Sequence, residues 1–282
     1  PLGDASRAAR RAPTHADGAA AGDPGAIIVL YDVTRLRALE AVRREFLSNA
    51  AHELRTPVTS ISGYAETLLG GGVDAETSRE FLTTIHRNAQ RIAALVRDLL
   101  VLDTLEGRAA AVGERGPIAL AEVVTDAVRT ARGVTPDARL AVTVAADAIV
   151  LATRDGLDHV VQNLVDNAIK YGRRVDAAPA AGGSEAAAAP EVEPEVEITA
   201  RRVGARLQLA VRDRGPGIPA GHAERIFERF YRIDAGRSRN QGGSGLGLAI
   251  VKRQVEALGG RVWVEDAAPG ARFVVELDAA AG

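Results

Sequence analysis

The chain has no cysteine and no methionine among its 282 residues. Without cysteine, disulfides, thiolate zinc sites and cysteine nucleophiles are excluded, and a reducing compartment is permitted. Without methionine there is not even an initiator, so the chain is expected to be a fragment or processed form of a longer protein, and the leading PLG reads as a cloning remnant. Long apolar runs are missing too. The longest near the start is AIIVLY, far short of the ~20 residues that a membrane-spanning helix needs, so any membrane anchor is expected outside this chain. An excess of one charge is also absent: the formal net charge is −2. That balance offers neither a polyanion-binding surface nor a basic face, which argues against nucleic acid as a partner and against membrane contact by this segment.

What is present is the composition of an ordinary globular chain, 46% hydrophobic and 26% charged, long enough for about two domains. Residues 1 to 25, rich in Ala, Gly, Arg and Pro, show no periodicity and are expected to be flexible. AIIVLYDV (26 to 33) reads as a buried strand, the remnant of an upstream module. From Thr34 the period becomes helical, with apolar residues at Leu36, Leu39, Phe46, Ala50, Leu54, Val58, Ile61, Ala65 and Leu68 and an interruption at Arg43. After the break GGGVDAET the pattern repeats at Phe81, Ile85, Ala89, Ile92, Val96, Leu99 and Leu102. Two such helices predict an antiparallel hairpin over 34–108. One hairpin cannot cover its own apolar face, so a homodimeric four-helix bundle is expected. Strand and helix signals then alternate through an α/β region over 117–282, giving an α+β protein. Within it, the Ala-, Pro- and Glu-rich stretch 174–195 has too little bulky apolar content to pack and is expected to be a flexible insertion.

In FLSNAAHELRTPVTS (46 to 60), a helix at about 100° per residue turns His52 away from the apolar face and puts Thr56 on its side. A lone exposed histidine is usually a solvated polar residue. Here Glu53 follows directly and is placed to accept a proton from one ring nitrogen, leaving the other as a nucleophile. Pro57 withholds one backbone hydrogen bond just past the histidine, a fault in a purely structural helix but understandable beside a reaction site. The string HELRT lacks the second histidine of HExxH, so a zinc protease site is disfavoured.

The second half carries nucleotide-site signals. In LQLAVRD, Asp213 continues the inward series Leu207, Leu209, Val211, so its carboxylate needs a donor such as an exocyclic amine. Gly215 and Gly217 in DRGPGIP allow a sharp turn and close approach of a flat ligand. In HVVQNLVDNAIKYG, Asn163, Asn167 and Lys170 share one flank of a helix, suited to Mg²⁺ and phosphate, although helix-surface amides are the ordinary reading of such a trio. GGSGLGLAIVKRQVEALGG opens with glycines and enters a helix that Gly259 and Gly260 end, a phosphate cradle without a P-loop signature. Before it, ERIFERFYRIDAGRSRNQ, with Phe227, Phe230 and five arginines, shows little core pattern and is expected to form a mobile lid (218–243) over an anionic ligand.

Taken together, these motifs resemble sensor histidine kinases of two-component signalling, closest to the phosphate-regulon sensor kinase group through VLYDVTRLRALEAVRREFLSNAAHELRTPVTSISGYAETLL, over roughly residues 26 to 278. The resemblance implies a phosphoacceptor hairpin followed by an α/β sandwich ATP-binding domain of the GHKL type. It implies that His52 is the phosphorylated residue, Glu53 its polarising base, and Thr56 a residue that positions the water hydrolysing phospho-aspartate on a partner. It further implies that Asn163 and Asn167 contact ATP and Mg²⁺, with Asn167 on the metal, that Lys170 contacts phosphate and that Tyr171 lines the site. Asp213 would read adenine, with Gly215 and Gly217 in the first glycine box. IFERFYR would be the phenylalanine box, with Phe227 and the phosphate contact Arg232, and Gly243, Gly245, Leu246 and Gly247 would form the second glycine box. The implied partners are a second copy of the chain and a response-regulator receiver domain, and the implied setting is the cytoplasmic portion of a membrane-anchored bacterial sensor kinase. Three departures stand out: a third glycine signature is faint (PGARF), the 174–195 loop is long, and the sensory part is missing apart from what resembles the last strand of a PAS-like module within residues 1–33. Two other readings remain open: another ATPase on the same nucleotide fold, such as a mismatch-repair or topoisomerase-like protein, and a catalytically silent nucleotide-binding dimer.

Overall fold

The computed structural model describes residues 31–107, 114–172, 195–233 and 244–280. The chain divides into two units, residues 1–42 and 43–282. In the first, the strand expected over 26–33 does not form at its described end. Tyr31 to Val33 have no regular structure, and Tyr31 is 81% exposed; residues 26–30 lie outside the described residues. A single strand has no neighbouring edge to bond, whereas the Asp32 carboxylate accepts the Thr34 N–H at 2.9 Å and starts helix α1 (Thr34–Gly70).

In the second unit, the hairpin forms as its periodicity predicts. Helix α1 ends at two glycines with positive φ, Gly71 and Gly72. Asp74 then caps α2 (Ala75–Gly107), accepting the Glu76 and Thr77 N–H groups at 3.0 and 2.9 Å. The helices run antiparallel, joined by stacking of Tyr64 on Phe81 and by the Asn88 amide donating to the Ser60 hydroxyl. Pro57 sits inside α1 and has no N–H for the Glu53 carbonyl.

The rest of this unit is a two-layer α/β assembly. Strands β1 (Gly116–Ala119) and β3 (Ile149–Ala152) make a small antiparallel pair. A five-stranded mixed sheet has the order β2 (Arg139–Thr143), β4 (Glu195–Val203), β5 (Arg206–Asp213), β7 (Ala271–Asp278), β6 (Arg261–Asp266), parallel only between β2 and β4. The expected insertion at 174–195 lies outside the described residues except for Glu195, which opens β4.

Three helices complete this assembly: α3 (Leu120–Val134), α4 (Arg154–Tyr171) and α5 (Gly247–Ala257). The period of two aligns Val196, Ile198, Leu207, Leu209, Val211, Phe273, Val275 and Leu277 on one sheet face, where they form a single core with the apolar stripes of the helices. The opposite face carries pairs such as Gln208 donating to Glu276 and Arg261 to Glu276.

A second, smaller cluster joins the hairpin to the α/β layer. Leu95 and Leu102 of α2 bury against Leu246 and Ile250 at the start of α5, with Phe46, Leu54 and Phe230 packed around them. Part of the apolar face that a second copy was expected to cover is thus covered by the chain itself. Val58 and Val96, expected on that face, are 49% and 42% exposed.

Leu164 is fully buried on α4 within the main core. Leu164→Ala is expected to lower the unfolding free energy by about 2–5 kcal/mol. Val134→Ala, at a site 81% exposed, should change it by less than about 0.5 kcal/mol. The urea midpoint of each variant reads the difference.

Candidate active site

His52 is exposed on α1, as its helical phase requires, and lines an open surface hollow of about 460 Å³ with Arg55, Thr56, Thr59 and Ser60. Thr56 shares its side, its hydroxyl donating back to the His52 carbonyl at 3.4 Å. Glu53 has partners that its place in the sequence does not announce. Consecutive helical residues diverge by about 100°, and its carboxylate is engaged across the hairpin by Arg91 of α2 at 3.0 Å and by Arg232 at 3.9 Å, with no bond to His52.

Helix α4 presents the amide flank. The Asn163 amide nitrogen donates to the His159 carbonyl at 2.8 Å, and its oxygen faces α5, where a Cβ on Gly247 would come within 2.7 Å of it. Glycine at 247 is therefore what lets the two helices meet. The Asn167 amide bonds to no described residue. Lys170 lies one turn on, half-buried, 5.0 Å from the centroid of the neighbouring Tyr171 ring. Burial, with the charges of Arg232 and Arg91 nearby, lowers the Lys170 ammonium to about 8. Tyr171 ends the helix 38% exposed.

Asp213 closes central strand β5 and is 5% exposed. One oxygen accepts the Gly215 N–H at 2.8 Å and the Ala271 N–H at 3.2 Å; the other accepts from no described residue. Burial pushes the carboxyl up, and the two backbone bonds oppose that. Close packing fixes the loop that follows. A Cβ at Gly215 would lie 2.2 Å from the Tyr171 carbonyl oxygen, and one at Gly270 would lie 1.9 Å from that of Asp213. Gly217, with φ +76, faces the Gly270 carbonyl. Gly270 and Ala271 are site residues that the sequence reading passed over, and the faint PGARF signature was their only trace.

The lid segment splits. Ile226 and Phe227 are buried in the main core, Phe227 edge-on to Phe273 at 6.5 Å, so this stretch holds more core than its pattern announces and Phe227 supports the site from beneath. Phe230 has a positive φ of 61, donates its N–H to the Gly245 carbonyl at 2.9 Å and stacks on Phe46 of α1. Leu246, fully buried, belongs to the cluster with α2. Gly247 opens α5, and Gly243 lies outside the described residues, as do Arg237 and Arg239.

Arg232 is the most telling side chain. It is 11% exposed, and its Nε and Nη2 are buried without a hydrogen-bond partner. Arg91 and Arg232 thus share one carboxylate, Glu53, and Lys170 feels the charge of both guanidinium groups as well as that of Asp166. Excess buried positive charge with unpaired donors is a demand for an anion, and nucleotide phosphates meet it. The unpartnered oxygen of Asp213 likewise suits an exocyclic amine. Among the described residues no three His, Asp or Glu side chains converge as a metal-ligand group. The Asn167 amide oxygen, a hard neutral donor, would suit a magnesium ion shared with nucleotide phosphates.

Residues 42–108 match the His Kinase A (phospho-acceptor) domain, and residues 152–281 match the histidine kinase-, DNA gyrase B- and HSP90-like ATPase domain. The chain is 36% identical over 262 residues to the sensor-like histidine kinase SenX3 of Mycobacterium tuberculosis, covering 90% of this chain and 58% of the relative. It is 33% identical over 241 residues to the sensor protein kinase WalK of Staphylococcus saprophyticus, covering 85% of this chain and 37% of the relative. The chain thus spans less than two thirds of the length of either relative. Its fold resembles that of the histidine kinase ThkA, solved in complex with the response regulator protein TrrA, with a TM-score of 0.58, 21% identity, and coverage of 88% of this chain and 65% of that one. The two matched domains, in the order in which the fold presents a helical hairpin and an α/β sandwich, make the chain a member of the sensor histidine kinases of two-component systems.

Proposed function

We propose that the chain transfers the terminal phosphoryl group of ATP to His52 and passes it on to an aspartate of a response-regulator receiver domain. The observation that carries this reading is the meeting of Arg232, with two unpartnered donors, and the helix of the exposed His52 at the carboxylate of Glu53. In the reaction, the unprotonated ring nitrogen of His52 forms a bond to the terminal phosphorus, the bridging P–O bond breaks, and ADP leaves with the electron pair. Lys170 and Arg232 hold the phosphate oxygens, Asn163 and Asn167 orient the chain of phosphates, Asp213 takes the adenine amine, and Tyr171 closes the edge of the site. Bound Mg²⁺ supplies charge neutralisation on the phosphates. Glu53 steadies the proton on the other ring nitrogen once the terminal phosphate competes for Arg232 and loosens its ion pair. The histidine faces outward because both the ATP-binding domain and the receiver must reach it.

We further propose a homodimer as the working form, supported by the apolar side chains left exposed along the hairpin at Leu47, Val58, Leu82, Val96 and Leu100. Phosphatase action on the phosphorylated regulator, with Thr56 positioning the water, belongs to the same reading. No described helix is long and apolar enough to cross a membrane, and we assign the segment to the cytoplasmic side of an anchored sensor.

Incubation with radiolabelled Mg·ATP is expected to give acid-labile, alkali-stable label in the wild type and none in His52→Gln or Asn167→Ala. Label that survives in His52→Gln overturns the assignment.

The depressed Lys170 adds a pH signature. Below about 8 the ammonium is charged and attracts phosphate; above it the free protein loses the proton, which nucleotide must then restore. ADP affinity is expected to be flat below pH 8 and to weaken above it, by at most about tenfold per pH unit for one proton. Lys170→Met should remove this dependence in a calorimetric titration, and an unchanged profile in that variant would refute the role.

A further inference from the structure

Arg91 is absent from every motif of the sequence reading, yet of the two cations that engage the Glu53 carboxylate it is the closer. Its guanidinium lies 3.0 Å from the Glu53 carboxylate, and the two side chains are 21% and 27% exposed, so the ion pair is shielded from water on most sides. Its charge also bears on Lys170 of α4, which places it at the junction of the two domains.

Two features distinguish Arg91 from Arg232, the other cation on Glu53. Arg91 lies 38 positions from Glu53 on the partner helix of the same hairpin, so its bond does not depend on how the ATP-binding domain sits. It is also the shorter contact, at 3.0 Å against 3.9 Å. A phosphate drawing Arg232 away leaves Glu53 with Arg91 as its remaining anchor. Without Arg91 the carboxylate, on a side chain with three rotatable bonds, would disperse among rotamers or swing wholly to Arg232.

Resting on the autokinase reading above, we infer that Arg91 is a positioning residue of the phosphoryl transfer, holding the Glu53 carboxylate where it serves His52 when the ATP-binding domain exchanges Glu53 for nucleotide phosphate. It touches neither ATP nor the reacting nitrogen. Its effect therefore falls on turnover and not on nucleotide binding.

The test is single-turnover labelling of wild type, Arg91→Ala, Arg91→Lys, Glu53→Gln and the double variant Arg91→Ala/Glu53→Gln, each across a range of ATP concentrations. For Arg91→Ala the expected result is a labelling rate lower by roughly tenfold, within the range that properly placed acid–base groups contribute, with the ATP concentration for half-maximal rate within about twofold of wild type. Arg91→Lys should restore most of the rate, because an ammonium still pairs with the carboxylate. The double variant should be no slower than Glu53→Gln alone, since Arg91 acts through Glu53. A wild-type rate in Arg91→Ala, a loss that multiplies with that of Glu53→Gln, or a loss confined to ATP affinity overturns the inference while leaving the autokinase reading intact. A wild type that takes no label takes down the autokinase reading and this inference with it.

Discussion

The arrangement turns on an imbalance of charge. Glu53 is shared by the guanidinium groups of Arg91 and Arg232, and the ammonium of Lys170, on the helix that also carries Asp166, feels both. One carboxylate does not satisfy both guanidinium groups, and Arg232 retains two buried donors with nothing to bond among the described residues. Under the proposed function, the phosphates of a bound nucleotide supply the missing negative charge. The contact of Arg232 with Glu53 ties the ATP-binding domain to the acceptor helix.

The rest of the fold holds those groups at that point. Lys170 is carried at the end of α4, whose apolar stripe is locked into the main core by Leu157, Leu164 and Ala168. The end of α4 is pressed against the loop after β5 because Gly215 leaves room for the Tyr171 carbonyl, and that loop is held by Asp213 bonding Gly215 and Ala271 through one oxygen. Arg232 follows Phe227, which is anchored on Phe273, and Phe230, which is bonded to Gly245 and stacked on Phe46. The loop held by Asp213, the cluster of Lys170 and Arg232, and the helix of His52 are therefore linked through packed, hydrogen-bonded neighbours.

Much of this was legible in the sequence where a period or a turn chemistry carried it. The spacing of Phe46, Ala50 and Leu54 set the phase that turns His52 outward, and the alternation of Leu207, Leu209 and Val211 set Asp213 inward. The glycines of DRGPGIP announced close approach, although not what approaches. The misses share a cause: they are contacts between residues far apart in the chain. The sequence sets Glu53 beside His52, but that Arg91 holds its carboxylate is visible only once α1 pairs with α2. Phe227 in an arginine-rich stretch looks like lid, yet it finds Phe273 46 positions later and becomes core. Gly270 is buried in a weak signature because its reason, the Asp213 carbonyl behind it, lies on another strand. The strand expected before Thr34 failed at its described end because a local pattern cannot supply an edge to bond.

The most direct measurement of the central claim is calorimetric binding of ADP and of a non-hydrolysable ATP analogue to the wild type and to Glu53→Gln. If the terminal phosphate and Glu53 compete for Arg232, removing the carboxylate charge should tighten the triphosphate by about fivefold, the scale of a partly exposed ion pair worth about 1 kcal/mol, and leave ADP nearly unchanged. Equal shifts for both nucleotides, or weaker binding of the triphosphate, would contradict it.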